Sequence, residues 1–456
     1  MPHLPAFMAK MVDANLPPVV METFAYYYEQ VVQGTTGLIA DAEIAPVAES
    51  QIADLAGLAA YAEAGAKALK QTVQIVLNGG LGTSMGLTGA KSLLNVKAGK
   101  SFLQIIIEQA ALDDVPLVFM NSFNTDLDTR AAVDALKPAR PPRFFMQHKF
   151  PKILRKDYSP ARWPANPGLE WNPPGHGEIY TALSTSGLLD QFLADGITYA
   201  LIVNGDNLGA TLDRSLLGFF AKSEFPIMME VAQRTPADMK GGHLARHRNG
   251  RLILREIAQC PEEDCRAFQD IRLYRYFNVN SLWIHLPALK GLIRREKLVR
   301  LPIILNPKTL DPRDKKSPAI IQIETAMGSA ISLFEGAAAV RVPDTRFRPV
   351  KKCADLLAVR SDCFVFDSDG RLVPNAARRL GRVQIQLDPE YYSRIDDFEK
   401  RFAGIPSLVG CESLAVIGDV FFEPDVTIRG RVTIRNRRGE AAVIKAGTLV
   451  EKDLDL

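Results

Sequence analysis

The chain has 456 residues, of which 47% are hydrophobic and 23% are charged, and its formal net charge is +3. Such a composition is typical of a globular protein of two or three domains, and the nearly neutral charge gives no general attraction to nucleic acid or membranes. No apolar run approaches 18 residues, and the N-terminus has no apolar stretch of the signal-peptide type. We therefore expect a cytoplasmic protein without a membrane-spanning helix.

Residues 1–70 are rich in alanine, leucine and glutamate, and we predict that they form an N-terminal helical segment. Pro17 and Pro18 separate a first helix from a second that contains residues 24–32. Residues 59–69 contain few helix breakers and predict a further helix. No pattern here indicates chemistry, so we expect the segment to pack against the main domain.

Short apolar strands alternate with helical segments between residue 71 and about residue 360, which is the pattern of an α/β sheet. The candidate strands are Gln74–Leu77, Pro116–Asn121, Tyr199–Asn204 and Pro226–Val231. Residues 101–112 place their apolar side chains on one helical face. Ligands in such sheets bind at the carboxyl ends of strands, close to a switch in strand order.

Polar residues stand at the ends of these strands. They are Asn78, Asn121, Asn204 with Asp206 and Asn207, and, further along the chain, Asn278 and Asn280. Amides and a carboxylate at one edge of a sheet are suited to hydrogen bonding with hydroxyl and phosphate groups. Asparagine as a turn former would account for one or two of these positions but not comfortably for four.

A glycine-rich stretch follows the first candidate strand, with glycines at positions 79, 80, 82, 86 and 89 and with Lys91 close behind. Glycine permits positive φ angles and a close approach of main-chain N–H groups to an anion, while lysine adds a mobile charge. The spacing matches neither G-x-G-x-x-G nor G-x-x-x-x-G-K-[ST]. The residues alone therefore indicate a phosphate-binding loop of unspecified kind.

The complete sequence of this loop closely resembles the nucleotide-binding loop of eukaryotic-type UDP-glucose pyrophosphorylases (UTP–glucose-1-phosphate uridylyltransferases). It reads Leu77-Asn-Gly-Gly-Leu-Gly-Thr-Ser-Met-Gly86, followed by Gly89-Ala-Lys-Ser92. The resemblance extends from residue 73 to residue 357. Its further motifs are Phe119–Asp126, Phe145–Pro151, Pro173–Tyr180, Asn204–Asn207, Lys240–His243, Leu254–Pro261, Phe277–Trp283, Ile323–Gly328 and Arg346–Lys351. The resemblance implies a Rossmann-like nucleotidyltransferase core with a mixed sheet.

The resemblance also implies roles for individual residues. Those expected to bind the nucleotide are Leu77, Gly79, Gly80, Met120, Gln147, which would read the uracil base, and Gly175. Those expected to bind the sugar or the phosphates are His176, Asn204, Gly242, Glu256 and Asn280. Lys91 and Lys351 are the expected catalytic lysines. Asp206 follows a buried strand, and a carboxylate beside a triphosphate is a natural ligand for Mg²⁺.

The implied reaction converts UTP and glucose 1-phosphate reversibly into UDP-glucose and pyrophosphate, by in-line attack of the sugar phosphate on the α-phosphorus with Mg²⁺. The chain departs from the usual family wording at Ala90, Glu178, Val279 and Ser281. A UDP-sugar or UDP-N-acetylhexosamine pyrophosphorylase is the nearest alternative, because it would keep the loop and change the sugar-side segments.

Two alternatives belong to other classes of protein. A dinucleotide-binding oxidoreductase would carry a ribose-binding acid at the end of the second strand, where this chain has Asn121. A non-enzymatic sugar-nucleotide-binding protein would bind UTP without turnover. The five cysteines form no C-x-x-C pair, so we expect reduced thiols rather than zinc or a disulfide framework.

The residue pattern changes at the C-terminal end, from alternating strands and helices to a short repeat. After the catalytic domain, assigned to residues 71–360, residues 361–384 are expected to be a linker and 385–456 a β-helix-like domain. Val420, Val426 and Val432 are six residues apart, and Val-Thr-Ile-Arg occurs twice. Five arginines between residues 429 and 438 predict a solvated edge, with a polyanion-binding patch as the alternative. We also expect that this domain supports a homo-oligomer.

Overall fold

The computed structural model describes residues 2–456 and contains helices on both faces of one large mixed sheet. We number the α-helices in chain order: α1 Leu4–Asp13, α2 Pro18–Val32, α3 Ala62–Ala68, α4 Phe102–Asp113, α5 Asp126–Leu136, α6 Ile179–Thr185, α7 Leu188–Ala194, α8 Arg214–Lys222, α9 Cys265–Gln269, α10 Leu286–Glu296, α11 Cys353–Arg360, α12 Pro389–Tyr392 and α13 Ile395–Arg401. Over the described residues, none of these helices is long and apolar enough to cross a membrane.

The strands are numbered in the same way: β1 Ile44–Pro46, β2 Ala53–Asp54, β3 Thr72–Asn78, β4 Asn95–Lys97, β5 Lys100–Ser101, β6 Leu117–Asn121, β7 Arg143–Met146, β8 Phe150–Pro151, β9 Ile153–Leu154, β10 Trp171–Asn172, β11 Tyr199–Asn204, β12 Ile227–Gln233, β13 His243–His247, β14 Leu252–Arg255, β15 Tyr276–His285, β16 Ile304–Thr309, β17 Ala319–Glu324, β18 Ala338–Arg341, β19 Phe364–Phe366, β20 Leu372–Pro374, β21 Gln384–Leu387, β22 Cys411–Ile417, β23 Val420–Phe422, β24 Thr427–Ile428, β25 Gly430–Arg435, β26 Ala442–Ile444, β27 Leu449–Val450 and β28 Leu454–Asp455.

The main sheet has the order β2-β18-β12-β15-β11-β3-β6-β7, with β13 joining β1 and β14 to β15. Strands β11, β3, β6 and β7 are parallel neighbours, whereas β15 runs antiparallel to both β11 and β12. The predicted α/β core with a mixed sheet is thus confirmed. The four predicted strands correspond to β3, β6, β11 and β12, and the predicted helix at 101–112 corresponds to α4.

Strand β3 shows why this part of the sequence is a continuous apolar run. Val73, Ile75 and Val76 are all fully buried. Val76 packs in the core that contains α4, and Val73 and Ile75 pack in the core on the opposite face, which contains α6 and α10. A strand covered on both faces needs apolar side chains in both orientations, so the usual polar alternation is absent.

The N-terminal segment packs on the main domain as predicted, through an aromatic cluster of α1 and α2 that includes Phe7, Phe24 and Phe150 of β8. The hydroxyl of Tyr27 bonds both the N–H and the carbonyl of Leu301. The segment also contains β1 and β2, which pair with β13 and β18 of the main sheet. These strands are two or three residues long, too short to produce a recognisable strand pattern in the sequence.

The C-terminal part is a stack of parallel strands. One ladder has the order β21-β22-β25-β28, and two shorter ladders pair β23 with β26 and β24 with β27. The side chains of Val420, Val426 and Val432 all lie inside the stack, each at most 2% exposed. The three ladders form the three sides of a coil, and six residues of chain separate equivalent positions on successive sides. The predicted β-rich C-terminal region is confirmed.

The arginines of this stack are paired with acidic residues on neighbouring coils. Arg429 contacts Glu451, Arg431 contacts Glu412, and Arg435 contacts Asp453. Exposed pairs of this kind contribute little stability, about 0–1 kcal/mol each. They do neutralise much of the positive charge, which favours the solvated-edge interpretation over a polyanion-binding patch.

Candidate active site

Three of the predicted site residues, Leu77, Met120 and Asn204, lie at the carboxyl ends of β3, β6 and β11. Register places Asn204 of β11 beside Leu77 of β3, and Leu77 beside Met120 of β6. The N–H of Gly205 donates to the carbonyl of Leu77 over 3.0 Å, which closes the edge. The side chain of Met120 is 1% exposed and packs in the core beneath this edge, so it does not reach the cleft.

The glycine loop turns back on itself immediately after β3. Gly82 and Gly86 have φ angles of 68° and 76°, where any residue with a Cβ is strained. The N–H of Lys91 donates to the carbonyl of Gly80 over 3.0 Å. This bond returns the chain to the start of the loop and brings the Lys91 side chain over the cleft. Gly80 itself is exposed, so its main chain is open to a ligand.

Gln147 lies beside the start of the same loop. Its main-chain N–H donates to the carbonyl of Asn121 over 2.7 Å, and its side-chain Nε2 donates to the carbonyl of Gly175 over 2.7 Å. A Cβ placed on Gly79 would lie 3.2 Å from Gln147 Oε1. The amide oxygen of Gln147 therefore faces the loop, where it can accept a hydrogen bond. Gly175 has a φ of 79°, and a Cβ there would clash with the carbonyl of Thr325.

Two of the predicted polar strand ends are structural. The amide of Asn78 donates to Asn121 Oδ1 over 2.8 Å and to Thr129 Oγ1 over 2.9 Å, and Asn121 Nδ2 donates to Asp126 over 2.8 Å. Asn78 and Asn121 are 4% and 0% exposed. The expectation that all these amides bind hydroxyls or phosphates is therefore not met by this pair, which fixes the ends of β3 and β6 to each other and to α5.

A charge cluster occupies the centre of the cleft. Oδ2 of Asp206 lies 2.7 Å from Nζ of Lys91 and 2.5 Å from Nζ of Lys351. Burial disfavours ionisation of Asp206, but the two ammonium groups outweigh it and hold the pKa of the carboxyl below its usual range. The side chains of Lys91 and Asp206 are each 12% exposed, whereas that of Lys351 is 56% exposed. The fold thus brings together two predicted catalytic lysines and the predicted metal ligand.

The segment that carries Lys351 is bonded directly to the segment that carries Asp206. The N–H of Val350 donates to the Asp206 carbonyl over 3.1 Å. The neighbouring amide of Asn207 donates to the carbonyl of Arg346 over 3.0 Å and accepts from the N–H of Arg348 over 2.8 Å. The two halves of the charge cluster are consequently held by main-chain geometry and not only by their mutual attraction.

A buried ion pair holds this segment on the main sheet. The guanidinium of Arg346 makes a two-pronged contact with Glu230 of β12, at 2.7 and 2.8 Å, and Trp283 Nε1 donates to the same carboxylate over 2.9 Å. Glu230 was not singled out from the sequence. A lone acid inside the apolar strand 227–232 was the available signal, because such a charge requires a buried partner.

The predicted sugar-side residues form a second cluster. A Cβ on Gly242 would lie 2.5 Å from a carboxylate oxygen of Glu256, so the acid packs directly against the glycine. Burial raises the pKa of Glu256. The carbonyl of Gly242 accepts from the N–H of Asn278 over 3.0 Å. Asn280 has a φ of 57°.

Asn278 fixes the direction of the Asn280 side chain. Its Nδ2 donates to Asn280 Oδ1 over 2.8 Å, and its Oδ1 accepts from the N–H of Asn280 over 2.9 Å. Because the Asn280 oxygen is engaged, the free part of its side chain is the NH₂ group, which can donate to an oxygen of a ligand. The sequence indicated polarity at both positions but not this division of roles.

His176 lies between the two clusters. Its Nδ1 accepts from the N–H of Met327 over 3.0 Å, so the second nitrogen, Nε2, carries the proton of the neutral ring. Burial, with a smaller contribution from the charge of Lys351, lowers the pKa of His176 to about 4. The ring is therefore a neutral donor at pH 7. Gly328, the next residue after Met327, packs on Asn278, which connects His176 to the sugar side.

Asp206 has the features of a ligand for a hard cation. Its Oδ1 is buried and has no hydrogen-bond partner among residues 2–456. Over the same residues, no group of three or more His, Cys, Asp or Glu side chains is placed to hold a metal ion. A Mg²⁺ ion at this point would therefore take most of its oxygens from phosphate and water, as this ion commonly does.

A separate groove of about 770 Å³ lies between α10 and residues 333–335. It contains none of the predicted site residues. Two of its arginines already have partners, since Arg251 donates to the carbonyl of Ser332 and Arg295 pairs with Glu296, which also lines the groove. The cleft around Asp206 is therefore the candidate active site.

The chain is similar to one known protein family over most of its length. The family model described as UTP–glucose-1-phosphate uridylyltransferase matches residues 21–429. The enzyme of that name from Solanum tuberosum is 39% identical over 399 residues, which are 85% of this chain and 82% of the relative. The enzyme of that name from Saccharomyces cerevisiae is 38% identical over 397 residues, 84% of this chain and 77% of the relative.

Solved structures are similar over nearly the whole chain. The UDP-glucose pyrophosphorylase of Leishmania major, described in open and closed structures, has a TM-score of 0.93 and 40% identity, with all of both chains covered. A variant of that protein in complex with UDP-glucose has a TM-score of 0.92 and 40% identity, with 99% of each chain covered. A Trypanosoma brucei protein described as a UDP-glucose phosphorylase has a TM-score of 0.89 and 40% identity over 100% of both chains.

Proposed function

The chain belongs to the UTP–glucose-1-phosphate uridylyltransferase family, and we propose that the cleft around Asp206 is where it transfers a uridylyl group between UTP and glucose 1-phosphate. The enzyme makes UDP-glucose and pyrophosphate from these two substrates. The observation that carries the assignment of the site is the Lys91–Asp206–Lys351 cluster between an amide on one side and a sugar-side acid on the other.

The chemistry requires alignment and charge compensation more than proton transfer. An oxygen of the sugar phosphate attacks the α-phosphorus of UTP in line, and the bond from that phosphorus to the bridging oxygen breaks as pyrophosphate leaves. The attacking phosphate is already ionised at pH 7, so no general base is needed. Positioning and electrostatic stabilisation then account for most of the catalysis.

The base side of the cleft suits uracil. Gln147 Oε1 faces Gly79 and can accept from the N3–H of uracil, whereas cytosine has an acceptor at that position. The exposed glycine loop around Gly80 supplies main-chain N–H groups for the phosphates. Leu77 and Asn204, adjacent across the sheet, form the floor beneath the nucleotide.

The sugar side of the cleft contains both a hydrogen-bond acceptor and a hydrogen-bond donor. The carboxylate of Glu256, backed by Gly242, accepts from hydroxyl groups, and the NH₂ group of Asn280 donates to them. His176 is neutral, and its Nε2–H donates to a phosphate oxygen between the two sides. A donor without a charge at this position orients the phosphate without adding to the cations already present.

The centre of the cleft handles the phosphate charge. In this proposal Lys91 and Lys351 exchange their contact with Asp206 for contacts with phosphate oxygens, and the buried Oδ1 of Asp206 would hold Mg²⁺. When bound, Mg²⁺ supplies charge neutralisation at the phosphates. We also propose a cytoplasmic location, which the free thiols of the five cysteines in the described chain favour, and self-association through the C-terminal stack.

One assay tests both the activity and the choice of sugar. Pyrophosphate release is measured with UTP and Mg²⁺ against glucose 1-phosphate, galactose 1-phosphate and N-acetylglucosamine 1-phosphate. We expect the highest kcat/KM with glucose 1-phosphate. Equal or faster turnover of N-acetylglucosamine 1-phosphate would contradict the proposal, and so would turnover that is unaffected by chelation of divalent cations.

A further inference from the structure

A buried acid close to the base side is not used by the reaction described above. Glu178 is 6% exposed and stands at the start of α6, directly after the turn that contains Gly175 and His176. Both oxygens of its carboxylate contact His148. Oε2 accepts from the main-chain N–H of His148 over 3.2 Å, and Oε1 lies 2.5 Å from Nδ1 of the His148 ring. A carboxylate at this depth is stable only because these contacts satisfy it.

The partner of this acid is the residue that follows Gln147. Two segments therefore meet at the base side, 145–149 and 173–178, and two polar links join them. One is the bond from Gln147 Nε2 to the carbonyl of Gly175, and the other is the contact between His148 and Glu178. The first link engages the amide that is expected to read the base, so it can change when a nucleotide binds. The second link engages no group that the nucleotide needs.

The main chain of Gln147 is thus held on both sides. Its own N–H donates to the carbonyl of Asn121 at the end of β6, and the next N–H, that of His148, donates to Glu178. A ring contact from His148 Nε2 to Thr185 Oγ1, at 3.4 Å, completes the support from α6. With the main chain fixed, rotation of the Gln147 side chain alone can move its amide between Gly175 and a base.

We propose that Glu178 is a positioning residue for base recognition, which acts on Gln147 through the main chain and ring of His148. The inference rests on the proposed function of the cleft, because it assumes that Gln147 reads the base. It assigns to Glu178 an effect on nucleotide affinity and base choice and no part in the chemical step.

The proposal predicts that loss of Glu178 changes the KM for UTP but leaves kcat nearly unchanged. In Glu178→Ala the His148 N–H and ring lose their acceptor, and Gln147 is held on one side only. The KM for UTP should rise about tenfold and the preference for UTP over CTP should fall about tenfold, the scale of one lost buried hydrogen bond. The kcat at saturating UTP should stay within about threefold of wild type, because the cluster around Asp206 is untouched.

Glu178→Gln is the conservative variant. Its amide oxygen can accept from the His148 N–H, and its amide nitrogen can donate to an unprotonated Nδ1 of the His148 ring. The KM for UTP and the preference for UTP over CTP should therefore be close to the wild-type values. Asp419→Ala is the matched control, since it removes a partly buried carboxylate that pairs with Arg401 in the distant C-terminal stack. It should lower stability without changing the KM for UTP.

The experiment measures pyrophosphate release from glucose 1-phosphate with UTP and, separately, with CTP for all four proteins, with circular dichroism to verify folding. A wild-type enzyme that does not prefer UTP would overturn the proposed function itself. If wild type prefers UTP and folded Glu178→Ala keeps its KM and base preference, only the inference about Glu178 fails. A loss of kcat at unchanged KM would also overturn it. If Glu178→Ala does not fold, His148→Ala serves in its place, with the same KM and base-preference criteria.

Discussion

Replacement of Lys351 by alanine is the sharpest test of the charge cluster. The Lys351 ammonium lies 2.5 Å from Asp206 Oδ2, and its side chain is 56% exposed. Its removal leaves Asp206 paired with Lys91, so no carboxylate becomes isolated. Because the lysine is itself largely exposed and Lys91 remains beside Asp206, its loss should change the free energy of unfolding by no more than about 1 kcal/mol. The variant therefore tests catalysis separately from stability.

The expected size of the effect follows from the charge that develops on the phosphates. Two anions must approach each other, so cations that strengthen their contacts in the transition state lower the barrier. A unit charge about 4 Å from another at an effective dielectric constant of about 20 contributes about 4 kcal/mol. Part of that attraction is already present in the ground state, and loss of one well-placed electrostatic donor typically raises the barrier by about 2.7–4 kcal/mol. Lys351→Ala should thus lower kcat about 10²–10³-fold, with a smaller effect on KM.

The assay is the initial rate of UDP-glucose formation against UTP, glucose 1-phosphate and Mg²⁺, with circular dichroism to confirm folding. Lys352→Ala is the matched control, because Lys352 is the exposed neighbour and lies outside the cluster. Lys91→Ala should weaken UTP binding as well as turnover, and Asp206→Ala should raise the Mg²⁺ concentration required. A folded Lys351→Ala enzyme within threefold of the wild-type kcat would refute the reasoning.

Four further results are expected. Gln147→Ala should weaken UTP binding by about 1–3 kcal/mol through an unpaired polar edge; unchanged affinity and unchanged discrimination against CTP in binding titrations would remove Gln147 from the site. Asn278→Ala should raise the KM for glucose 1-phosphate more than that for UTP, because Asn280 loses its fixed orientation; equal changes in both constants in steady-state kinetics would contradict this role. The pKa of His176 is about 4 in the folded protein, below the value of 6.5 in the unfolded chain. As the pH falls, the unfolded chain therefore binds a proton first, and the free energy of unfolding should fall by about 3 kcal/mol between pH 6.5 and pH 4. In urea titrations His176→Gln should show a flatter pH dependence over that range, and an equal slope would argue against a neutral buried ring. Truncation after residue 380 should alter oligomeric state or stability more than UTP affinity, and a folded truncated protein whose assembly state in light scattering equals that of the full chain would count against an assembly role.

The sequence predicted best those features that depend on local pattern. Strands β3, β6 and β11 were found because each is an apolar run that ends in a polar residue, and the parallel sheet then brings those ends together. The convergence of Lys91, Asp206 and Lys351 was predicted through the family resemblance, and the structure places all three within ion-pair distance. The six-residue valine spacing predicted the C-terminal stack.

The features that escaped prediction depend on contacts between distant segments. Asn78 and Asn121 look like ligand-binding amides in the sequence, and only their pairing across neighbouring strands shows that they are structural. Glu230 and Arg346 are 116 residues apart, and nothing local to either indicates the other. Met120 follows the family motif, but β6 is covered on both faces and the Met120 side chain packs in one of the two cores.

The arrangement of the charge cluster suits the proposed role of the two lysines, because a single carboxylate lies between them. Two ammonium groups in a cleft repel each other, and each is held at the point of reaction only if an anion lies between them. Asp206 is that anion: its Oδ2 accepts from both lysines, and its Oδ1 has no hydrogen-bond partner among residues 2–456. The main-chain bonds of Asn207 and Val350 keep the two supporting segments in place when the lysines leave the carboxylate. Phosphate oxygens can therefore replace Asp206 as the partner of the lysines without a rearrangement of the backbone, which is the preorganisation that a reaction between two anions requires.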